Sequence, residues 1–464
     1  MLQLQFWGAC DRVTGSCTLL SVGRSHVVVD CGLIQGSAED EELNYEPFPF
    51  DPQRVDAVIL THAHLDHSGR LPLLTKSGFK GRIYTHRASR DLCRIMLRDA
   101  AYLNEMDAQI ESRKRARRGE KPVEPLYTRD DAAACLRHFR GVDYDQPIEI
   151  ADGVRACFRD AGHILGAAFV ELDLSHDGDR RRVTFSGDLG HAASPLMRDP
   201  VPPNETDLVI LESTYGDRAH PPWARTVEQL RGVLEEAWSD RGVVLIPAFA
   251  VGRTQELLLL LHMHYEEWQL DRWRIYLDGP LGVEATTIYA QHYAELGPDA
   301  TSFAQRKGFQ LPNMQFTRTP AQSQQLNKAG GGTLIIAGAG MCNGGRIRHH
   351  LKHQLWKRST HVLIVGYQAR GTLGRRLQDG ARSVTLWGEP IQVAAKIHTL
   401  EGLSAHADAK ELRAWYGRIP GHPAVALNHG EPEPIRALAA ALGGDYGVTA
   451  RIPHFGSRID LKTL

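Results

Sequence analysis

Three histidines and an aspartate, all residue types that can bind a metal, stand within six positions directly after a short apolar segment. The segment VDAVIL is long enough for a buried strand, and THAHLDHSG follows it. His62 and His64 lie two residues apart and point to one side of an extended chain, whereas Asp66 and His67 address a second point once the chain turns. Three histidines and a carboxylate suit Zn²⁺, with Mn²⁺ as an alternative. The pattern favours a metal centre over a surface loop without a metal.

Further candidate ligands follow other apolar segments. One cluster cannot complete two metal sites, so additional donors are expected at the ends of other strands. His163 in DAGHILGAA, Asp188 in TFSGDLG and His429 in LNHGEPE each stand beside glycine. Each of them alone is a weak signal, because a single residue of this kind at a strand end is more often an ordinary loop residue. Their order along the chain, taken together with the first cluster, makes them candidate ligands.

The apolar segments predict two patterns of secondary structure along the chain. Residues 1–60 read as short strands, and RASRDLCRIMLRDAAYLNEMDAQI has the apolar spacing of a helix. Strand-like segments return and end with TDLVILEST. From about residue 225, strands such as GVVLIPAF and GTLIIAGAG alternate with helical stretches, which predicts a doubly wound parallel sheet. After HVLIVGYQ short strands return, so one domain is interrupted by a second.

Composition excludes several classes of protein. The 464 residues carry a net charge of −1, so bulk charge gives no sign of nucleic-acid binding and any basic groove must be local. Seven cysteines, without a CxxC pair, argue against a disulfide framework and a zinc ribbon. The N-terminus does not resemble a signal peptide, and no apolar run reaches the length of a membrane span. The cytoplasm is the expected compartment, with no membrane partner.

The ordered motifs resemble a known family. HAHLDHSG, GHILGAA, SGDLG and NHG are similar to the metallo-β-lactamase fold in its phosphodiesterase form. LESTYGDR, IPAFAVGRTQE, GMCNGGR, GYQARGTLGR and GLSAHAD resemble the β-CASP branch, which contains RNase J and the endonuclease that cuts pre-mRNA at its 3′ end. The resemblance implies an α/β fold, a metallo-β-lactamase αββα sandwich interrupted by a β-CASP domain with a doubly wound parallel sheet. The expected domains are metallo-β-lactamase at 1–211 and 365–464, and β-CASP at 212–364.

The resemblance also implies two Zn²⁺ ions, with Mn²⁺ possible in their place. It assigns the first ion to His62, His64 and His163, and the second to Asp66, His67 and His429, with Asp188 as the bridge. A hydroxide shared by the two ions would attack phosphorus in line.

Four residues are implied to act in catalysis. Asp66 is one of them, besides being a metal ligand. Asp30 would orient the metal ligands, His406 would act as general acid on the leaving 3′ oxygen, and Glu212 would orient the imidazole. Apart from the resemblance, the same residues read as a strand-terminating aspartate, a helix-start histidine and a capping glutamate.

Substrate contacts are implied at four positions. Ser404 and Gly340 would help to hold a phosphate, and Arg253 and Arg346 would contact phosphate through the bidentate guanidinium. Comparable enzymes usually carry serine just before the GM of GMCNGGR, where this chain has Ala339, which weakens a hydroxyl role there. An internal salt bridge is the alternative for both arginines.

The predicted function is hydrolysis of single-stranded RNA in processing or decay. His429 favours RNA, because the DNA-processing group typically has valine in the last motif. The alternatives are a catalytically silent RNA- or protein-binding scaffold, a DNA-directed nuclease of the same fold, and a small-molecule hydrolase, against which the inserted residues 212–364 argue. A compact bacterial-type enzyme without KH modules or a long C-terminal extension is expected, and a homodimer is the expected assembly.

Two basic stretches have no assigned role. The run RKRARR at 113–118 could contact RNA backbone or form a solvated helix end. The stretch RHHLKH places His349 and His353 at i, i+4, a metal-ligand spacing, but no HExxH glutamate lies between them. A solvated helix face is therefore the preferred interpretation of RHHLKH.

Overall fold

The computed structural model describes residues 1–192, 194–369, 371–400 and 402–464, so that Arg370 of the GYQARGTLGR motif lies outside the described residues. The strands, in chain order, are β1 (Leu2–Phe6), β2 (Thr18–Val22), β3 (Ser25–Val29), β4 (Ala57–Ile59), β5 (Arg82–His86), β6 (Phe139–Val142), β7 (Ile148–Ala151), β8 (Val154–Asp160), β9 (Ala168–His176), β10 (Asp179–Phe185), β11 (Leu208–Glu212), β12 (Val243–Pro247), β13 (Arg274–Asp278), β14 (Met314–Thr317), β15 (Thr333–Ala337), β16 (Thr360–Ile364), β17 (Ser383–Leu386), β18 (Glu389–Gln392), β19 (Lys396–Thr399), β20 (Ala424–Asn428) and β21 (Arg458–Asp460).

The helices, in chain order, are α1 (Ala38–Glu42), α2 (Leu65–Ser68), α3 (Leu71–Lys76), α4 (Arg87–Ala116), α5 (Arg129–Leu136), α6 (Trp223–Ser239), α7 (Arg253–Met263), α8 (Pro280–Gln291), α9 (Pro298–Lys307), α10 (Pro320–Gln325), α11 (Gly345–Gln354), α12 (Leu373–Gln378), α13 (Ala409–Gly417) and α14 (Pro432–Tyr446). None of the helices in the described part of the chain is both long and apolar enough to span a bilayer.

The chain forms two compact units. Unit 1 comprises Met1–Ala192, Asp199–Ala219 and His406–Leu464, and unit 2 comprises Ala193–Arg198 and His220–Ala405. The second unit thus interrupts the first in chain order. The domain boundaries proposed from the sequence, at 211/212 and 364/365, stay a prediction.

Unit 1 contains two β-sheets around one apolar core. Their strand orders are β21-β1-β2-β3-β4-β5-β6 and β20-β11-β10-β9-β8-β7. In β1, Leu2, Leu4 and Phe6 are buried and the glutamines between them are not, which is the alternation of a strand with one face on a core. Residues of both sheets, such as Leu4 of β1 and Phe158 of β8, belong to the same buried cluster. The sheets therefore pack face to face, as the predicted sandwich requires.

Unit 2 contains one parallel sheet of order β14-β13-β15-β12-β16-β19 and the two-stranded hairpin β17-β18. All five residues of β12 are buried, because helices cover a parallel sheet on both faces. Ile347 and Leu351 of α11 pack on this sheet together with Val384 and Leu386 of the hairpin. The predicted fold class, a sandwich interrupted by a doubly wound parallel sheet, is confirmed.

Candidate metal centre and active site

Four of the predicted ligands in unit 1 form a first group. His62 and His64 lie between β4 and α2, whereas His163 follows β8 and Asp188 follows β10. His64 Nδ1 is 3.1 Å from His62 Nε2 and 3.2 Å from His163 Nε2. Asp188 Oδ2 lies 3.4 Å from His62 Nε2 and 3.6 Å from His163 Nε2. Nitrogens placed 2.0–2.1 Å from a tetrahedral Zn²⁺ would be about 3.3 Å apart.

The remaining predicted ligands form a second group beside the first. Asp66 and His67 lie in α2, and His429 follows β20. The Nε2 atoms of His67 and His429 are 2.9 Å apart, and Asp66 Oδ2 is 3.7 Å from His429 Nε2. Asp188 Oδ1 lies 3.3 Å from His67 Nε2. The two oxygens of Asp188 thus face different groups of donors.

Asp188 provides the strongest indication that the residues of this centre fit a metal. The residue is 1% exposed, and neither carboxylate oxygen accepts a hydrogen bond from any residue in the described chain. A buried carboxylate without donors is costly, so that native proteins pair such a group or bind a cation to it. The donor set therefore fits divalent cations on both sides of Asp188.

The pKa shifts of His62, His64 and Asp188 favour the protonation states that a metal requires. Burial lowers the pKa of His64 to about 4 and the pKa of His62 well below its usual value. Burial alone would raise the pKa of Asp188, but His429 and His67 hold it well below the usual range. Neutral imidazoles and an ionised carboxylate are the forms that bind metal. Burial alone would lower the pKa of His67 as well, but the carboxylates of Asp188 and Asp30 raise it well above its usual value.

Asp30 is hydrogen-bonded to two residues of the histidine motif, Thr61 and His67. Its Oδ1 accepts a hydrogen bond from Thr61 N at 2.8 Å, and its Oδ2 accepts one from Thr61 Oγ1 at 3.0 Å. Oδ2 also lies 2.7 Å from His67 Nδ1. The bond to His67 leaves Nε2 for the metal, which is the arrangement expected of an orienting carboxylate. Sequence reasoning missed Thr61, although it directly precedes His62.

The backbone next to Asp30 requires glycine. A Cβ on Gly32 would lie 1.6 Å from the carbonyl oxygen of Asp66. The neighbouring Cys31 N donates to His67 O at 2.7 Å, and Leu33 N donates to Leu65 O at 2.7 Å. These bonds tie α2, which carries two ligands, to the loop after β3.

The side chains of Glu212 and His406, which were predicted to act as a carboxylate–histidine pair, lie next to each other. Glu212 is 2% exposed, and its Oε1 accepts from Leu189 N at 2.7 Å and lies 3.4 Å from His406 Nδ1. His406 Nδ1 is also 3.8 Å from Asp188 Oδ2. Burial alone would lower the pKa of His406, but the carboxylates of Glu212 and Asp188 raise it to about 9.

Thr214 is a second residue that sequence reasoning missed. Its Oγ1 lies 3.2 Å from His429 Nδ1, and its backbone N donates to Glu212 Oε2 at 3.4 Å. The residue therefore touches both a candidate ligand and the candidate orienting carboxylate. Its place in LESTYGDR, two residues after Glu212, was the available signal.

The four predicted substrate contacts all lie in unit 2. Arg253 forms an ion pair with Glu256, and Arg346 Nη1 donates to Asp278 Oδ1 at 2.6 Å. The internal salt bridge considered for each arginine is thus present. Ser404 is 9% exposed, and Gly340 O accepts from Gln368 Nε2 at 3.0 Å. Contact of these four residues with a phosphate stays a prediction.

Another group of possible metal donors, in unit 2, carries its own cation. His361 Nδ1 lies 3.0 Å from His398 Nε2, and a carboxylate oxygen of Glu236 is within 4.8 Å of both histidines. Lys396 Nζ lies 2.7 Å from Glu236 Oε1 and 2.6 Å from Asp240 Oδ2. The lysine compensates these carboxylates, whereas the oxygens of Asp188 accept no hydrogen bond from the described residues.

Comparisons with known proteins agree with this architecture. Family models match for the "Metallo-beta-lactamase superfamily" at residues 10–248, the "Beta-Casp domain" at 254–377 and the "Zn-dependent metallo-hydrolase RNA specificity domain" at 390–453. The chain is 39% identical over 438 residues to "Ribonuclease TTHA0252" of Thermus thermophilus, a match that covers 94% of this chain and 95% of the relative. The chain belongs to the β-CASP branch of the metallo-β-lactamase superfamily. The family resemblance read from the motifs is confirmed.

Other similar proteins are longer or more distant. "Transcription termination factor FttA" of Methanosarcina mazei is 33% identical over 453 residues, which cover 94% of this chain and 68% of the relative. A crystal structure of a protein of unknown function from Enterococcus faecalis matches with a TM-score of 0.53 at 14% identity, over 99% of both chains. The latter similarity concerns the fold alone.

Proposed function

We propose that this chain is a metal-dependent ribonuclease that hydrolyses phosphodiester bonds of single-stranded RNA, in RNA processing or decay. The proposed cofactor is a pair of Zn²⁺ ions, with Mn²⁺ as the alternative. The observation that carries the proposal is the buried Asp188, whose two oxygens accept no hydrogen bond from the described residues and face two groups of histidine and aspartate donors. A β-CASP relative named as a ribonuclease, similar over nearly the full length of both chains, supports RNA as the substrate.

The proposed roles of the protein's own residues follow from the contacts. His62, His64 and His163 would hold one ion, Asp66, His67 and His429 the other, and Asp188 would bridge. A pair of divalent cations at this centre would supply Lewis-acid activation of water and of the phosphodiester. Asp30 would keep His67 in the tautomer whose Nε2 can bind metal, because it accepts from Nδ1.

His406 is the proposed general acid, with Glu212 as its orienting partner. Because Nδ1 faces Glu212 at 3.4 Å, the proton for the leaving 3′ oxygen would come from Nε2. Glu212 is itself fixed by the backbone N–H of Leu189, so the imidazole is held against a rigid carboxylate. This arrangement separates proton donation from metal binding.

Incubation of the purified protein and Zn²⁺ with end-labelled single-stranded RNA, and with DNA of the same sequence, tests the proposal. Labels at the 5′ and 3′ ends distinguish internal cutting from cutting at one end. We expect cleavage of RNA in preference to DNA, and its loss in His64→Ala. His176→Ala, a histidine of β9 outside the centre, is the matched control and should cut like the wild type. Equal degradation by wild type and His64→Ala would refute the catalytic assignment.

Metal content provides an independent measurement. Elemental mass spectrometry of the wild type should find about two metal ions per chain. A folded sample that binds none would contradict the proposal even if RNA disappeared in the cleavage assay. A protein that acts only as an RNA-binding scaffold would bind the RNA and leave it uncut in the cleavage assay. The expected homodimer is a separate prediction, and sedimentation tests it.

A further inference from the structure

One surface of unit 2 is rich in cations and aromatic rings. Residues 345–358, which comprise α11 and the turn after it, contain five Lys or Arg residues and three His but no Asp or Glu. The helix packs into the core of unit 2 through Ile347 and Leu351. Its outer face therefore carries net positive charge. We call this face, together with the tip of the β17-β18 hairpin, the α11 surface.

The hairpin tip presents a tryptophan in an unusual backbone conformation. Leu386 pairs with Glu389, which leaves Trp387 and Gly388 as a two-residue turn with φ of 50° and 83°. Turns of this type favour Asn-Gly, because side chains with φ above zero are strained and large ones most of all. Trp387 is nevertheless there and is 49% exposed. A strained, exposed aromatic residue at a turn suggests a binding role.

Cations from α11 surround this ring. Arg348 Cζ lies 4.7 Å and Lys352 Nζ lies 5.9 Å from its centroid, and the ring of His349 is stacked at 4.5 Å. Lys352 also forms a salt bridge of 2.5 Å with Glu389 of the same hairpin.

A second exposed tryptophan extends the surface. Trp356 is 57% exposed, and Lys357 Nζ lies 5.4 Å from its ring centroid. The hairpin tip and the turn after α11 thus each present an exposed aromatic ring with at least one cation beside it.

We propose that the α11 surface binds single-stranded RNA. Trp387 and Trp356 stack on bases, and Arg348, Lys352 and Lys357 contact phosphates. Exposed aromatic rings between cations form the usual platform for single-stranded nucleic acid, since every base offers a π-face and every nucleotide a charge. Two copies of this positively charged surface would repel each other. The inference rests on the proposed function, because it assigns a further contact to the same substrate.

The test measures the Kd of a fluorescein-labelled single-stranded oligouridylate by anisotropy in EDTA, so that binding is read without hydrolysis. Trp387→Asn keeps the turn, because asparagine tolerates positive φ. The variant should raise Kd about 5- to 100-fold. Arg272→Ala is the matched control, because Arg272 Cζ lies 4.4 Å from the ring centroid of Trp238, a cation–π pair outside the α11 surface. Its Kd should equal that of the wild type.

Glu389→Gln tests the same surface in the opposite direction. The substitution releases Lys352 from its salt bridge, and the affinity for RNA should rise about threefold. Arg348→Ala should weaken binding and reduce the slope of log Kd against log salt by about one. These two variants decide the question if Trp387→Asn lowers the melting temperature.

Wild-type affinity in Trp387→Asn, or in both Arg348→Ala and Glu389→Gln, would overturn the proposal. A change of sedimentation in Trp387→Asn with unchanged RNA affinity would overturn it too, since the surface would then join copies of the chain. Failure of the proposed function is distinguishable. A protein that binds RNA through this surface but does not cut it would fail the His64→Ala comparison and pass this test.

Discussion

Two buried aspartates, Asp188 in unit 1 and Asp278 in unit 2, differ in the hydrogen bonds that their carboxylates accept from the protein. Each is 1% exposed. Asp278 accepts from Ser323 Oγ at 2.6 Å and from Arg346 Nη1 at 2.6 Å, lies 2.6 Å from His350 Nε2, and bonds the hydroxyl of Thr317. An ionised carboxylate has about four acceptor positions, so Asp278 is saturated by its own protein.

Asp188, by contrast, accepts no hydrogen bond from the described residues, and its oxygens lie 3.4 Å from His62 Nε2 and 3.3 Å from His67 Nε2. This contrast distinguishes a structural carboxylate from a candidate metal ligand. Where the protein supplies every donor, the carboxylate holds elements together. Where burial is as deep and no hydrogen-bond donor is supplied, the carboxylate is a candidate ligand for a bound cation.

The largest expected effect concerns Asp188. Asp188→Asn removes the charge that faces both groups of ligands, and kcat/KM for RNA should fall by about 1000-fold or more. The cleavage rate with saturating Zn²⁺ is the measurement. Asp173→Asn is the control, because its salt bridge with Arg182 lies on the surface of the same unit. Asp188→Asn with near wild-type activity would remove the distinction between the two aspartates.

Asp278→Asn should act on stability rather than on metal binding. It leaves the charge of Arg346 uncompensated next to His350, and we expect the free energy of unfolding of unit 2 to fall by about 3–5 kcal/mol. Urea unfolding measures the loss. Metal content should stay at the wild-type value, and a loss of metal in this variant would show that the comparison fails.

A smaller effect is expected from the contribution of Asp278 to stability in acid. Burial alone would raise the pKa of Asp278, but its hydrogen bonds lower it to about 2. The folded pKa lies below the unfolded value, so this stabilisation is complete above about pH 4 and is lost as the pH falls through 2. In metal-free protein the loss should be about 2 kcal/mol. Asp278→Asn should lack this part of the acid dependence, and an identical pH profile in the variant would contradict the assignment.

The smallest predicted change is in metal affinity. Asp30→Asn keeps a residue that tolerates φ of 58° but weakens the bond to His67 Nδ1. We expect 10- to 100-fold weaker metal binding, measured by competition with a chromogenic chelator. Asp207→Asn, which changes an exposed aspartate, should leave the affinity unchanged.

The fold class and the candidate ligands could be predicted from the sequence, because they depend on the local pattern of apolar residues and on the order of the motifs along the chain. The alternation in β1 and the uniform burial of β12 are visible in their letters. The spacing in HAHLDH predicts two directions for its side chains. The joining of Asp188 to that motif required the order of the motifs and their resemblance to a family.

Other contacts could not be predicted, because they join distant segments through hydroxyls and rotamers. Thr61 and Thr214 are common residue types, and only the folded chain shows what they touch. The donors of Asp278 come from separate elements. Arg346 was predicted to contact phosphate, with an internal salt bridge as the alternative. No pattern in GMCNGGR indicates that its salt-bridge partner is Asp278.

The pairing of His67 with His429 joins residues 362 positions apart. His429 follows β20, which lies beside β11 in the second sheet of unit 1. A chain still on the ribosome therefore has an incomplete set of donors until β20 has been made and has taken its place. The proposed second metal site can therefore be complete only after nearly the whole chain has been synthesised.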